Sequence, residues 1–281
     1  MNKTLVQIID EYNSLGINQQ IDYEKYYLYS IITHSTAIEG STVTEIENQL
    51  LFDEGISANK PMTEQLMNLD LKKAYEQGFN LAKNHTDFSV KMLCNLASVL
   101  MNNTGSVYNT IYGSFSSAKG DLRLVNVSAG RGGKSYIAWQ KVPFRLEEFC
   151  KWINEKRTNL NSMSVTEKYR LSFETHFNLV SIHPWADGNG RMSRLVMNMI
   201  QVEAGLIPSI VKKENRADYI KSLSESQDRE DSSLFLDFMI NHHSENILQQ
   251  IEEYKKSIGR DVFVNKSEKK KSRNDDYDRG M

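Results

Sequence analysis

The sequence predicts a mainly α-helical fold with one small β-hairpin. Three observations carry this. Only four prolines occur in 281 residues, so little interrupts long helices. Most of the chain places apolar residues three and four apart, the period of an amphipathic helix. One stretch, about 103 to 144, loses that period and gathers glycines.

Taken in order, residues 4 to 15 read as a short helix stopped at Gly16. Residues 21 to 39 form a second, with Tyr23, Tyr27, Leu28, Ile31 and Ile32 as its apolar stripe and Gly40 as its stop. Thr44 and Glu47 have the spacing of a capping box and open a helix to about Glu54. Helical period continues over 62 to 83 and 88 to 102. In the glycine-rich stretch, 124–127 and 135–139 read as two short strands, with Gly130, Gly132 and Gly133 between them, hence the hairpin. Pro143 introduces a helix of about 145 to 157, and another spans about 165 to 182. His176 on that helix reads as a structural histidine. After Gly205 and a turn at Pro208, Asn215 to Tyr219 open a further helix, and closing helices run from Leu234 to about Ile258. From about Asn265 the chain is mixed charge with almost no apolar content, the composition of an unstructured tail. The division this suggests is N-terminal helices over 1–60, a main domain over 61–260 and a charged tail over 261–281.

Composition excludes several function classes. The 40% apolar content supports a real core, and the net charge of −2 creates no field that would attract nucleic acid or anionic lipid. No apolar run reaches the length of a membrane span, and the start lacks the long apolar region of a signal peptide. Cys94 and Cys150, the only cysteines, sit in apolar helical patterns and read as free thiols of a reducing cytoplasm. His242 and His243 are adjacent and so not on one helix face; they make no metal pair.

Chemistry is concentrated in residues 183–194, His-Pro-Trp-Ala-Asp-Gly-Asn-Gly-Arg-Met-Ser-Arg, between two apolar helical segments. Gly188 and Gly190 let the backbone approach a ligand without a Cβ. A helix starting near Gly190 points free N–H groups at the turn, where an anion is favoured. Arg191 and Arg194, three apart, share roughly one helix face, so both guanidinium forks reach one polyphosphate. Asp187 offers a hard oxygen for Mg2+. His183 is the group here that takes a proton near neutral pH.

This stretch resembles the signature of the Fic family, commonly written His-Pro-Phe-x-Asp/Glu-Gly-Asn-Gly-Arg-x-x-Arg, with Trp185 in place of the usual Phe. The resemblance covers roughly residues 35 to 245 and implies an α-helical Fic fold, with 61–260 as catalytic domain. It implies transfer of AMP from ATP, with Mg2+, to a Ser, Thr or Tyr hydroxyl of a target protein or of the chain itself. Carried over residue by residue, His183 is the base and Asp187 the metal ligand. Gly188, Asn189 and Gly190 cradle phosphates. Arg191 neutralises the leaving pyrophosphate and Arg194 holds the γ-phosphate. Ser35-Thr36-Ala37-Ile38-Glu39-Gly40 fits the family's inhibitory pattern Ser/Thr-x-x-x-Glu-Gly/Asn, which implies that Glu39 pairs with Arg194. Gly120-Asp121-Leu122-Arg123 resembles the Gly-x-x-Arg that leads into the flap over the family's active site, and Tyr219 matches an Arg-x-x-Tyr segment near the nucleotide base. Two alternatives stay open: removal of AMP or transfer of another phosphate-containing group, with Glu39 positioning water, and a regulatory module that binds nucleotide without turnover. A homo-oligomer is also left open.

Overall fold

The structure, a computed structural model, describes residues 3–129 and 135–275, with side chains of the last helix described as far as residue 258. Ten α-helices and one hairpin, joined in places by short 3-10 turns, make up the described chain: α1 Leu5–Ser14, α2 Tyr23–Ile38, α3 Glu45–Asp53, α4 Met62–Lys83, α5 Val90–Leu100, β1 Val107–Thr110, β2 Gly113–Ser116, α6 Val142–Arg157, α7 Val165–Ile182, α8 Asn189–Glu203, α9 Arg216–Arg229 and α10 Ser233–Asp275. Among these residues no helix is long and apolar enough to cross a membrane.

Capping explains several boundaries. Thr4, Thr44 and Ser164 each accept from the backbone N–H three residues on, and Gln7, Glu47 and Glu167 reciprocate, so α1, α3 and α7 all open on capping boxes. α1 ends just before Gly16, which is left-handed at φ 65°.

The chain forms two compact units, Glu24–His242 and the two chain ends, Met1–Tyr23 with His243–Met281. The boundary suggested near residue 60 falls inside the larger unit. In the smaller one, Lys3 and Lys255 both pair with Glu11, and the Tyr12 hydroxyl donates to Gln250 Oε1 at 3.1 Å. α10 continues through 261–275, where the sequence reads as unstructured. Lys, Glu and Arg are good helix formers, and a helix already begun needs no new nucleus.

The larger unit is organised around α8, which is buried on nearly every face between α4 and α7. Leu195, Val196, Met199 and Ile200 meet Leu71, Ala74, Leu179 and Ile182 in one core. α2 is fixed into this unit by apolar and polar contacts. Ile31 and Ile32 are core residues. Thr36 Oγ1 donates to Asn68 Oδ1 at 2.8 Å, Asn48 Nδ2 donates to Thr33 Oγ1 and to the same Asn68 oxygen, and Asn68 Nδ2 donates to Ser41 Oγ. All five side chains are buried.

The expected hairpin exists at a different place. Val107↔Ser116 to Thr110↔Gly113 is the antiparallel register, closed by Ile111 and Tyr112. These are not turn-forming residues, so no hairpin signal marks that place in the sequence. Over 124–129 and 135–139 the only strand pairing described is one bridge, Ser128↔Ser135, with Tyr136 N–H donating to Val127 O. The reason is Arg123, whose side chain takes the carbonyls of Val125 and Ile137 that a ladder would use. Gly130, Gly132 and Gly133 lie outside the described residues.

Candidate active site

α7 stops at His183, which adopts a left-handed conformation (φ 53°, ψ 63°) while its N–H still reaches Leu179 O. A non-glycine residue held there stores backbone strain, and Pro184 prevents the helix from continuing. The turn that follows is braced from within. Trp185 N–H donates to Asn189 Oδ1 at 3.1 Å, Asn189 Nδ2 returns a bond to Trp185 O at 2.9 Å, and the indole donates to Gly120 O. Trp185 is fully buried, as its place in the signature requires. Gly188 is left-handed at φ 81°, and a Cβ there would come within 2.9 Å of Met101 Sδ. α8 begins immediately after, so its first N–H groups have no acceptor within the helix.

The two signature arginines differ in how they are satisfied. Arg191 is 4% exposed. Its Nη2 lies 3.5 Å from Asp187 Oδ1 and 3.3 Å from Met101 Sδ, while Nε and Nη1 find no partner among the described residues. Buried cationic donors without acceptors, beside the positive end of a helix, make a seat for an anion. Arg194 is fully engaged. Nε donates to Ser35 Oγ at 2.8 Å, Nη2 to Ser35 O at 3.0 Å and to Glu39 Oε1 at 2.6 Å, and Nη1 to the Tyr219 hydroxyl at 3.4 Å. Ser35 and Glu39, far away in the chain, are thus brought to the signature. A Cβ added to Gly190 would lie 2.7 Å from Glu39 Oε1, so the carboxylate sits over the first turn of α8. Burial pushes the Glu39 carboxyl upward, but Arg194, with Arg191 and Arg216, outweighs it and holds the group below the usual carboxylate range.

His183 is neutral at physiological pH. Burial pulls its imidazole down to about 4, against the opposing pull of Val180 O, Asp187 and Glu39. Nδ1 lies 3.2 Å from Val180 O. Because a carbonyl only accepts, Nδ1 carries the hydrogen and Nε2 holds the lone pair that can take a proton.

Residues 87–201 match the Fic/DOC family. The chain carries a Fic domain. Beyond that segment, similarity extends to protein adenylyltransferase fic-1 of Caenorhabditis elegans, 26% identical over 229 residues, which are 79% of this chain and 41% of that protein. Protein adenylyltransferase Fic of Drosophila melanogaster is 25% identical over 219 residues, 74% of this chain and 39% of its own length. The chain therefore spans about two fifths of these curated relatives. In fold it resembles a Fic-domain-containing signaling protein from Bacteroides thetaiotaomicron (TM-score 0.73, 16% identity, covering 89% of this chain and 97% of that one). It also resembles residues 134–508 of C. elegans Fic-1 (TM-score 0.68, 22% identity, covering 90% and 72%).

Most residues singled out from the sequence converge: His183, Asp187, Gly188, Asn189, Gly190, Arg191 and Arg194 lie together within this Fic domain, and Ser35 and Glu39, from outside the matched segment, close on them. The Asn189 side chain braces Trp185, which leaves its backbone N–H for the phosphate contact expected of it. One residue sits elsewhere than expected. Tyr219, expected near a nucleotide base, is 1% exposed and its hydroxyl joins Arg194 to His176 Nε2 at 2.7 Å. The phenol is one of the few groups small and polar enough to bridge a buried arginine to a buried histidine, so Tyr219 supports Arg194 from behind.

Asp187 fits a cation carried in by phosphate better than a resident metal. Its side chain is 58% exposed, Oδ1 accepts from Gly188 N–H, and no group of three or more His, Cys, Asp or Glu side chains comes together among the described residues. Mg2+ suits such a site because it keeps several waters and needs few protein ligands.

Arg123 has a role that sequence reasoning misses. It is 1% exposed, and its guanidinium donates to His183 O (2.7 Å), Val125 O (2.7 Å) and Ile137 O (2.6 Å), while its N–H donates to Pro184 O. One buried cation thereby registers the segment over the site against the signature turn. The Gly-x-x-Arg spacing is its only signal. Tyr136, on that segment, carries no sequence signal at all.

Proposed function

We propose that the chain is a protein adenylyltransferase held back by Glu39, transferring AMP from ATP to a hydroxyl side chain of a protein. The observation that carries this reading is the Glu39 carboxylate on Arg194, above the positive end of α8, beside an Arg191 with two unpartnered donors. A site built for a polyphosphate has one of its two cations occupied by the protein's own anion. The names of the relatives support the same chemistry.

In this mechanism the N–H groups opening α8 and Arg191 bind and orient the phosphates. Arg194 takes the γ-phosphate when Glu39 turns away. His183 Nε2 receives the proton of the attacking hydroxyl. Asp187 would hold Mg2+, which when bound neutralises phosphate charge.

The test is ATP labelled at the α- or the γ-phosphate, offered to the Glu39→Gly protein with cell lysate. Label retained on protein from the α-position supports AMP transfer. Label from the γ-position means phosphorylation, and ATP bound with neither label transferred means a binding module; either result refutes the proposal.

A further inference from the structure

Tyr136 lies directly on His183. The two rings stack with centroids 3.8 Å apart and planes 17° from parallel. This contact is held in register by Arg123, which binds Ile137 O on one side and His183 O on the other. Tyr136 N–H donates to Val127 O, fixing the segment a second time. Tyr136 also lines a groove of about 700 Å3 with Ile137, Phe149, Trp152, Asn178 and Gln227. The ring thus touches both that groove and the imidazole placed to take a proton.

An imidazole tethered at Nδ1 alone keeps freedom about its own bond, and an exposed face admits water. A parallel aromatic ring removes both. We infer that Tyr136 is a positioning residue for the acceptor step: its ring holds the His183 imidazole with Nε2 presented edge-on to the incoming hydroxyl and shields its face from water. This rests on the adenylyl-transfer reading above. In that step the acceptor oxygen bonds to the α-phosphorus, the bond from that phosphorus to the bridging oxygen breaks, and its electron pair leaves with pyrophosphate. The hydroxyl proton goes to Nε2. Without the ring the imidazole turns about its own bond, Nε2 is no longer aimed at the bound hydroxyl, and water competes as acceptor, giving free AMP.

Two measurements test this on the full chain. The first is carbethoxylation of His183 by diethyl pyrocarbonate, followed by mass spectrometry in the parent, Tyr136→Phe and Tyr136→Ala. It reads the imidazole itself and needs no turnover. His183 should react several-fold faster in Tyr136→Ala and at the parent rate in Tyr136→Phe, with fully buried His176 unreacted throughout. Equal His183 rates in parent and Tyr136→Ala overturn the inference, and so does a matching rise at His176, which would mark general loosening. The second measurement, in a Glu39→Gly background, is the ratio of free AMP to protein-bound label from α-labelled ATP. It should rise with Tyr136→Ala and return with Tyr136→Phe; an unchanged ratio overturns the inference. If no variant releases or transfers AMP, the adenylyl-transfer reading has failed and the first measurement alone decides Tyr136.

Discussion

Arg194 Nη2 stands 2.6 Å from Glu39 Oε1, and that same oxygen overhangs the Cα of Gly190. The arginine is 3% exposed and the carboxylate 35%, so the pair sits at the edge of the protein with its cation inside and its anion reachable. A γ-phosphate and a carboxylate cannot both take the same fork in full.

Glu39→Gly is therefore expected to raise AMP transfer, by up to about a hundredfold if the carboxylate displaces the triphosphate by ~1 Å from its reactive pose. Glu39→Gln keeps the size without the charge and should activate in part. Retention of α-label on protein is the readout. The gain should vanish when Arg194→Ala is added; a gain that survives would separate the two residues.

His183→Ala should abolish transfer while ATP affinity, measured by calorimetry, changes by less than about tenfold, ~1.4 kcal/mol. The imidazole acts on the acceptor and makes no charge contact with the nucleotide. Asp187→Ala should flatten the dependence of activity on Mg2+ concentration. Superimposable metal titrations for mutant and parent would end its assignment as ligand.

The signature turn is legible in residues 183–194 because local sequence encodes local geometry: two glycines, a helix start and arginines three apart. Glu39 is reached only through resemblance, since no spacing rule links positions 39 and 194. The support that Arg123 and Tyr136 give is out of reach for a physical reason. Their partners are backbone carbonyls and a ring face, which many residue types can supply, so beyond the Gly-x-x-Arg spacing at Arg123 no pattern marks them. The displaced hairpin has the same cause: Arg123 consumes the carbonyls that Val125 and Ile137 would offer to a ladder.

Arg123→Ala should lower stability by about 2–4 kcal/mol, at ~1 kcal/mol for each of its lost side-chain bonds. Arg123→Lys should fall between, since one ammonium cannot reproduce the fork. Thermal melts measure the loss. Faster hydrogen exchange at the Tyr136 amide would show that the covering segment has come away from the turn.

Stability should also fall with acid in a predictable window. Burial, with Arg194, lowers the His176 imidazole to about 3, and His183 and His242 are lowered to about 4. Each binds a proton more readily unfolded than folded. Their contribution is complete above pH ~6.5 and is lost as pH falls toward the folded values, at about 1.4 kcal/mol per pH unit for each group. Denaturant midpoints near neutrality and near pH ~5 measure this. His176→Gln, whose amide oxygen can still accept from Tyr219, should reduce the difference; an unchanged difference would rule out His176 as a contributor.

The buried Thr33, Thr36, Asn48, Asn68 and Ser41 network has a consequence for control. With Ile31 and Ile32 in the core and Arg216 Nε bonded to Ile38 O, α2 is masonry. It cannot swing out without exposing that network to water, so under the proposed inhibition relief must come from Glu39 turning about its own side-chain bonds. Such rotations are fast, on the order of picoseconds to nanoseconds for exposed groups, far quicker than catalysis. The resting rate then reports the fraction of time the carboxylate is turned away, and anything that weakens its hold, ionic strength or nucleotide concentration included, moves that fraction smoothly. On the proposed reading, Glu39 dims the activity rather than switching it off.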